Sequence, residues 1–238
     1  MKPINMPTVL RCSSVPTLRR ILAALALLMA GAHGAATAQS SSTLDDLIIR
    51  AEAGDKTATR RLADLYYLGK GGAAKDFKEA ARWYLKLAHE GDARSQTSIG
   101  LMYARGYGVA RDLDAARKWW NLAAAQNEPG AQFNLGLIYS QGQGVQQDYT
   151  QAAQWFAQAA QRGHVQAQHN LGMLYHEGKG RQRDPLLAYY WIAIAARQGD
   201  NLAQESLKTV SAGMTREQID TAIGQVNEWF NHAAKIWQ

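Results

Sequence analysis

Ala131-Gln-Phe-Asn-Leu-Gly-Leu-Ile-Tyr-Ser-Gln-Gly-Gln-Gly-Val-Gln-Gln-Asp148 decides the fold, because it recurs. Moved 36 residues toward the C-terminus it becomes Ala167-Gln-His-Asn-Leu-Gly172, then Tyr175, Gly178-Lys-Gly180 and Asp184. Moved 36 residues the other way it becomes Ser95-Gln-Thr-Ser-Ile-Gly100, then Tyr103, Gly106-Tyr-Gly108 and Asp112. Trp83, Trp119, Trp155 and Trp191 keep that interval, and so do Asp76, Asp112, Asp148 and Asp184. Several residue types in one register mark an internal repeat. The first copy is irregular: Gly54, Ala58, Leu62 and Tyr66 lead to Asp76 with one extra residue in the Gly-rich loop.

Each copy predicts two helices. Ala131, Leu135 and Tyr139 fall at i, i+4 and i+8 on one face. Ala131 and Gly136 let a neighbouring helix come close. The Gly-x-Gly ends the helix, because glycine takes the left-handed cap conformation without strain. The recurring Asp then caps the second helix, its carboxylate accepting from exposed backbone N–H groups. Asp76-x-x-Glu79, Asp148-x-x-Gln151 and Thr215-x-x-Gln218 have capping-box spacing. Trp83-Tyr84, Trp119-Trp120 and Trp155-Phe156 supply large apolar surface, and the Trp frame is expected in the core between repeats. One helix pair cannot bury its own apolar face, so the pairs must stack into a solenoid with atypical ends.

The ends do differ. Residues 1–38 read as a secretory signal peptide: Lys2, Arg11, Arg19 and Arg20 with no acid, an apolar run from Ile21, and Ala36-Thr-Ala38. The expectation is a periplasmic or secreted protein, cleaved after Ala38, with no integral membrane segment left; a retained anchor is the alternative. Residues 39–50 are expected to form an N-terminal capping helix. The repeats span 51–207, in units 51–88, 89–124, 125–160 and 161–196 with a partial unit 197–207. A C-terminal capping helix occupies 208–238, with an apolar stripe of Ile219, Ala222, Ile223, Val226, Phe230 and Ala233.

The chain has 238 residues and a formal charge of +6. Four of its 26 basic residues lie in the signal segment, which leaves 22 basic against 20 acidic, a balance of +2. The excess charge is an export feature, and no nucleic-acid partner is expected. The single cysteine, Cys12, leaves with the same segment, which excludes a disulfide framework and cysteine-based metal sites.

The quoted blocks resemble the Sel-1-like repeat family, a branch of the tetratricopeptide superfamily. The matching pattern is Ala-Gln-x-x-Leu-Gly-x-x-Tyr, then Gly-x-Gly-Val-x-x-Asp, then Ala-x-x-Trp-Tyr-x-x-Ala-Ala. The resemblance implies an all-α solenoid, a right-handed superhelix of about four helix pairs with capping helices, whose first helices line a concave groove. The structural positions are Asp76, Asp112, Asp148 and Asp184, Trp83, Trp119, Trp155 and Trp191, and Tyr66, Tyr103, Tyr139 and Tyr175. Positions off the packing face are Arg60, Asp64, Thr97, Leu101, Phe133, Leu137, His169 and Met173. They form the candidate partner-binding stripe, charged at one end and apolar in the middle.

No catalytic residue, cofactor or metal is expected. Gly-x-Gly follows a helix in every unit, whereas a phosphate-binding loop follows a strand. His169 and His176 share a helix face but lie two turns, roughly 10 Å, apart. His89, His164, His169, His176 and His232 read as solvated, and the glutamines between Gln126 and Gln168 as a solvated polar face. Gly-x-Ser-x-Gly is absent. The expected function is a non-enzymatic protein-binding scaffold or adaptor whose partner is an envelope protein. The alternatives are an immunity protein neutralising an exported toxin such as a phospholipase, a cell-wall or β-lactam hydrolase, and a secreted host-factor binder. Family members with penicillin-binding character depend on disulfide-bonded helix pairs, which have no counterpart in this mature chain.

Overall fold

The computed structural model describes residues 43–236. The expected signal peptide, 1–38, and the first residues of the expected N-terminal cap lie outside the described residues. Among the described residues there are eleven α-helices and no strand. They are α1 (Leu44–Glu52), α2 (Lys56–Leu68), α3 (Phe77–His89), α4 (Ala93–Arg105), α5 (Leu113–Ala125) and α6 (Pro129–Gln141). Then come α7 (Tyr149–Gln161), α8 (Val165–Glu177), α9 (Pro185–Arg197), α10 (Asn201–Ser211) and α11 (Arg216–Ile236). Helices α2/α3, α4/α5, α6/α7 and α8/α9 are the four pairs. Helix α1 precedes them, α10 begins an incomplete fifth unit, and α11 packs on α9.

Each helix from α2 to α9 has 13 residues, about 20 Å of axis. Chemistry at both ends sets that length. The first helix of each pair stops at Gly69, Gly106, Gly142 or Gly178, each left-handed with φ between 66 and 72°. The second begins at Asp76, Asp112, Asp148 or Asp184; Asp148 Oδ1, for example, accepts from the N–H groups of Thr150 and Gln151 at 2.8 and 3.0 Å. Each capping Asp also donates its own N–H to the carbonyl of the recurring Tyr: Asp148 to Tyr139 at 2.9 Å, Asp184 to Tyr175 at 3.1 Å. That bond closes the loop. Thr215 and Gln218 form a full capping box, with bonds of 3.2 and 2.9 Å. Glu79 does not complete one; its carboxylate accepts from Arg82 instead.

The second glycine of Gly-x-Gly has a separate role. A Cβ on Gly108 would sit 2.0 Å from the Phe77 carbonyl oxygen, and one on Gly180 2.2 Å from that of Tyr149. These two loops therefore rest on the backbone at the start of the preceding unit's second helix, whereas Gly144 meets the Leu113 side chain there.

Within a pair, a bulky side chain fills a glycine notch. A Cβ added to Gly136 would be 2.5 Å from the Phe156 ring; Gly100 accommodates Trp120 and Gly172 accommodates Ile192 in the same way. This narrows the expected role of the Trp frame: Trp119 and Trp155 do pack between repeats, against core formed by the helices before them, but are not fully buried there. Trp83 and Trp191 are buried, but Trp119 and Trp155 are only half-buried. The next residue, turned about 100° round the helix, is the one that enters the notch: Trp120 is 4% exposed and Phe156 2%.

The glutamine-rich stretch also departs from expectation. Gln132 and Gln168 are fully buried, and Gln96 nearly so. The Gln168 Nε2 donates 3.1 Å to the Ala160 carbonyl, and Gln96 Nε2 donates 3.1 Å to that of Ala88. Gln168 Oε1 in turn accepts from Gln198 Nε2 at 2.7 Å. A residue type read as surface-facing is thus the polar clamp that ties a first helix to the last turn of the helix before it. Both amide ends are used in Gln168 and Gln96, which makes their burial tolerable, whereas Gln132 Oε1 is buried without a hydrogen-bond partner.

At the C-terminus, Ala222 and Val226 of α11 are buried, and Trp229 and Phe230 are half-buried. The Arg197 guanidinium lies 4.4 Å over the Phe230 ring and donates 2.7 Å to Asn227 Oδ1. Ile223, expected in the buried stripe, is 41% exposed. The predicted continuation to Ala233 lies outside the described side chains.

Candidate functional site: the face of the first helices

Helices α2, α4, α6, α8 and α10 form one layer. Neighbouring members touch directly at α4 with α6 and at α8 with α10; this is the layer that the resemblance assigns to the inner side. The eight stripe residues all lie on it, but they divide into two groups.

Five are engaged within the chain. Arg60 pairs with Asp92, the N-cap of α4. Asp64 accepts from the hydroxyl of Tyr84, which burial and the adjacent carboxylate hold well above the usual tyrosine range. Thr97 Oγ1 donates 3.0 Å to the Ala93 carbonyl. Phe133 stacks on His164 with ring centres 4.4 Å apart. His169 Nε2 lies 2.9 Å from Ser206 Oγ on α10. Arg60, Phe133 and His169 thus join each first helix to the next.

Leu101, Leu137 and Met173, the remaining three, pack in part against the core. They are half-buried and keep the 36-residue interval, so they form one apolar row across α4, α6 and α8. Sequence reading missed their neighbours. Asn134 and Asn170 recur on the same face, half-exposed, and no hydrogen bond engages either side-chain amide among the described residues. The Asn preceding each Leu-Gly was visible as a repeat signal, although its freedom was not. Between α4 and α6, Leu101, Asn134 and Leu137 line a cleft of about 320 Å³ with Arg105, Arg111 and Trp120. The row offers apolar contact, and each amide beside it offers both a donor and an acceptor. That combination suits a polypeptide, whose backbone needs both.

His164 and His169 are less solvated than expected, whereas His89 and His232 are exposed as expected. His164 is the N-cap of α8: its Nδ1 accepts from the Ala167 N–H at 3.3 Å, and the ring is half-buried under Phe133. Burial lowers the pKa of both His164 and His169. Among the described residues, no group of three or more His, Cys, Asp and Glu side chains is placed to hold a metal ion. No described helix is long and apolar enough to cross a membrane.

A stack of capped helix pairs with a shared inner face defines a helical-repeat solenoid. The particular family follows from comparison. The Sel1 repeat model matches residues 57–92, 93–128, 129–164 and 165–200, and the chain belongs to the Sel1 repeat family. Among solved structures, it is similar to a Sel1 repeat protein from Oxalobacter formigenes: 31% identity, TM-score 0.68, covering 81% of this chain and 78% of that one. It is also similar to a protective antigen present in uropathogenic Escherichia coli strains that displays an SLR fold: 35% identity, TM-score 0.72, covering 79% of this chain and 40% of that one. A curated relative, the ERAD-associated E3 ubiquitin-protein ligase component HRD3A of Arabidopsis thaliana, is 35% identical over 57 residues, 24% of this chain and 8% of that protein. The chain spans only a small part of this curated relative. Sel1 repeat proteins generally mediate protein–protein interactions and are typically non-catalytic scaffolds.

Proposed function

We propose that this protein is an exported, non-enzymatic scaffold that holds a partner polypeptide along the inner face of α4, α6 and α8. The apolar row Leu101, Leu137 and Met173, flanked by the unengaged amides of Asn134 and Asn170, carries this reading. A half-buried apolar row beside polar groups suits a segment that buries side chains and hydrogen-bonds its backbone at once. Rigid stacking means that binding needs little reordering, which favours affinity. Export to the periplasm rests on the basic segment, apolar run and Ala-x-Ala site of residues 1–38.

Two experiments test this. A photo-cross-linking residue is placed at Leu137 or Met173, and for comparison at Lys118, exposed on α5. Adducts with a defined partner are expected from the first two and not from the third; equal yields from all three overturn the groove. Fractionation of cells making the tagged protein tests export: recovery in the cytoplasm with residues 1–38 intact overturns it. An envelope component as the adduct makes the protein an adaptor, and an exported toxin makes it an immunity protein.

A further inference from the structure

The fourth loop departs from the two before it. Val109 and Val145 follow the Gly-x-Gly of their units and pack on the core. Arg181 stands at that place in the fourth unit. Its Nε is out of contact with solvent and has no hydrogen-bond partner. Its Nη1 reaches the Tyr175 hydroxyl at 3.4 Å, and the guanidinium lies 5.7 Å from the Tyr175 ring centre. Two residues on, Arg183 donates Nε to the His176 carbonyl at 3.1 Å. Neither arginine has a carboxylate partner among the described residues. The nearby acids are engaged elsewhere: Glu177 pairs with Lys179 at 2.8 Å, and Asp184 caps α9 by accepting from the Leu187 N–H at 3.0 Å. Tyr175, Arg181, Gln182, Arg183 and Asp184 line a cavity of about 420 Å³.

A guanidinium in a slot that takes valine in two sibling units is an energetic liability. A buried donor without a partner costs stability, more so on a charged group. An oxyanion held in the cavity by the Nη groups offsets the uncompensated charge, because the planar fork offers parallel N–H groups matched to two oxygens of a carboxylate or phosphate. We propose that Arg181 and Arg183 form an oxyanion-binding site at the fourth loop. Tyr175 and Gln182 are further donors, and the bound group is a phosphate or a carboxylate. The site is independent of the groove: it lies in a loop between α8 and α9 and uses none of the stripe residues.

The test compares thermal unfolding of the protein in chloride, phosphate and acetate at constant ionic strength, alongside the NMR signals of the arginine Nε–H groups. The wild type is expected to gain about 2–4 °C in Tm from an anion held in excess of its Kd, with the Arg181 Nε–H signal moving most. Gain in phosphate alone assigns the site to a phosphate, and gain in acetate alone to a carboxylate; gain in both shows that the fork takes either. Arg181→Val restores the sibling residue, so it is expected to fold, to unfold in chloride at or above the wild-type temperature, and to show no anion gain. Three results overturn the site: no gain in the wild type with either anion, an equal gain in Arg181→Val, or an Arg181→Val protein less stable than wild type in chloride.

Discussion

Two neighbouring aromatic residues show what the repeat hides at the level of single side chains. Trp155 recurs and is conspicuous in the sequence, but Phe156 fills the Gly136 notch and is 2% exposed. Phe156→Ala is therefore expected to cost about 3–5 kcal/mol, and Trp155→Ala about 1–2 kcal/mol; chemical denaturation of both variants checks the order. The glycines allow a similar contrast. Gly180 and Gly199 both have positive φ, 68 and 92°, but a Cβ on Gly199 meets nothing within 4 Å, whereas one on Gly180 collides with the Tyr149 backbone. Gly199→Ala should cost roughly 1–2 kcal/mol for its left-handed conformation. Gly180→Ala should cost more than about 2 kcal/mol, because backbone must also move. Equal losses in the two variants would show that the loop does not press on the preceding unit. The first glycine of each loop was legible as a helix cap because its cause is local. The second was not, because for Gly108, Gly144 and Gly180 the atom it meets belongs to the preceding unit.

At the level of the helix, four of the five unit starts repeat one task with different chemistry, while Glu128 before α6 makes no side-chain cap bond and Pro129 begins the helix. Asp55, Asp92 and Asp200 cap α2, α4 and α10 with carboxylates; His164 caps α8 with a neutral imidazole. A protonated ring cannot accept at Nδ1, and positive charge at a helix N-terminus is unfavourable. Burial holds the folded-state pKa of His164 below its ordinary 6.5. A depressed histidine contributes stability that is fully present above the unfolded-state value and is lost as pH falls from there through the folded value. The Tm should therefore fall as pH drops below about 6.5, where the unfolded chain binds the extra proton. His164→Asn keeps a neutral cap and should flatten part of that slope; His169, lowered in the same direction, supplies the rest. An unchanged slope in His164→Asn would remove His164 as a cause. The buried glutamines act between helices. Gln168→Met removes one of two bonds at the Ala160 carbonyl and one of two at the Gln198 amide, so it should cost about 1 kcal/mol, measured by the same denaturation. Helix positions and caps were legible because period and end chemistry are written locally. The glutamine clamp was read as surface because a polar side chain buried by its bonding partners looks, in sequence, like one bonded to water.

For the stack as a whole, stability is a sum over units and the contacts between neighbours. The inner face was legible only as a register: the repeat located Leu101, Leu137 and Met173, but not that Phe133 and His169 are already taken by the next unit. Those contacts make each unit dependent on its neighbour, and α11 is the last neighbour. It buries Ala222 and Val226 against α9 and holds Arg197 through Asn227 and Phe230. Removing residues 216–238 uncovers the apolar face of α9, whose Trp191, Ile194 and Ala193 then lose their cover. Because coupling passes only between adjacent units, the loss should fade with distance from the cut. Amide exchange read by mass spectrometry is expected to accelerate most in α9 and α10, less in α7 and α8, and little in α2 to α5. Uniform acceleration from α2 to α10 would instead mean that the described residues unfold as one cooperative block, with units too tightly coupled for the end to loosen alone. A graded response ties the partner-binding row to the cap, since Met173 on α8 lies nearer the cut than Leu101 on α4. Shortening α11 should then weaken cross-linking from Met173 before it weakens cross-linking from Leu101.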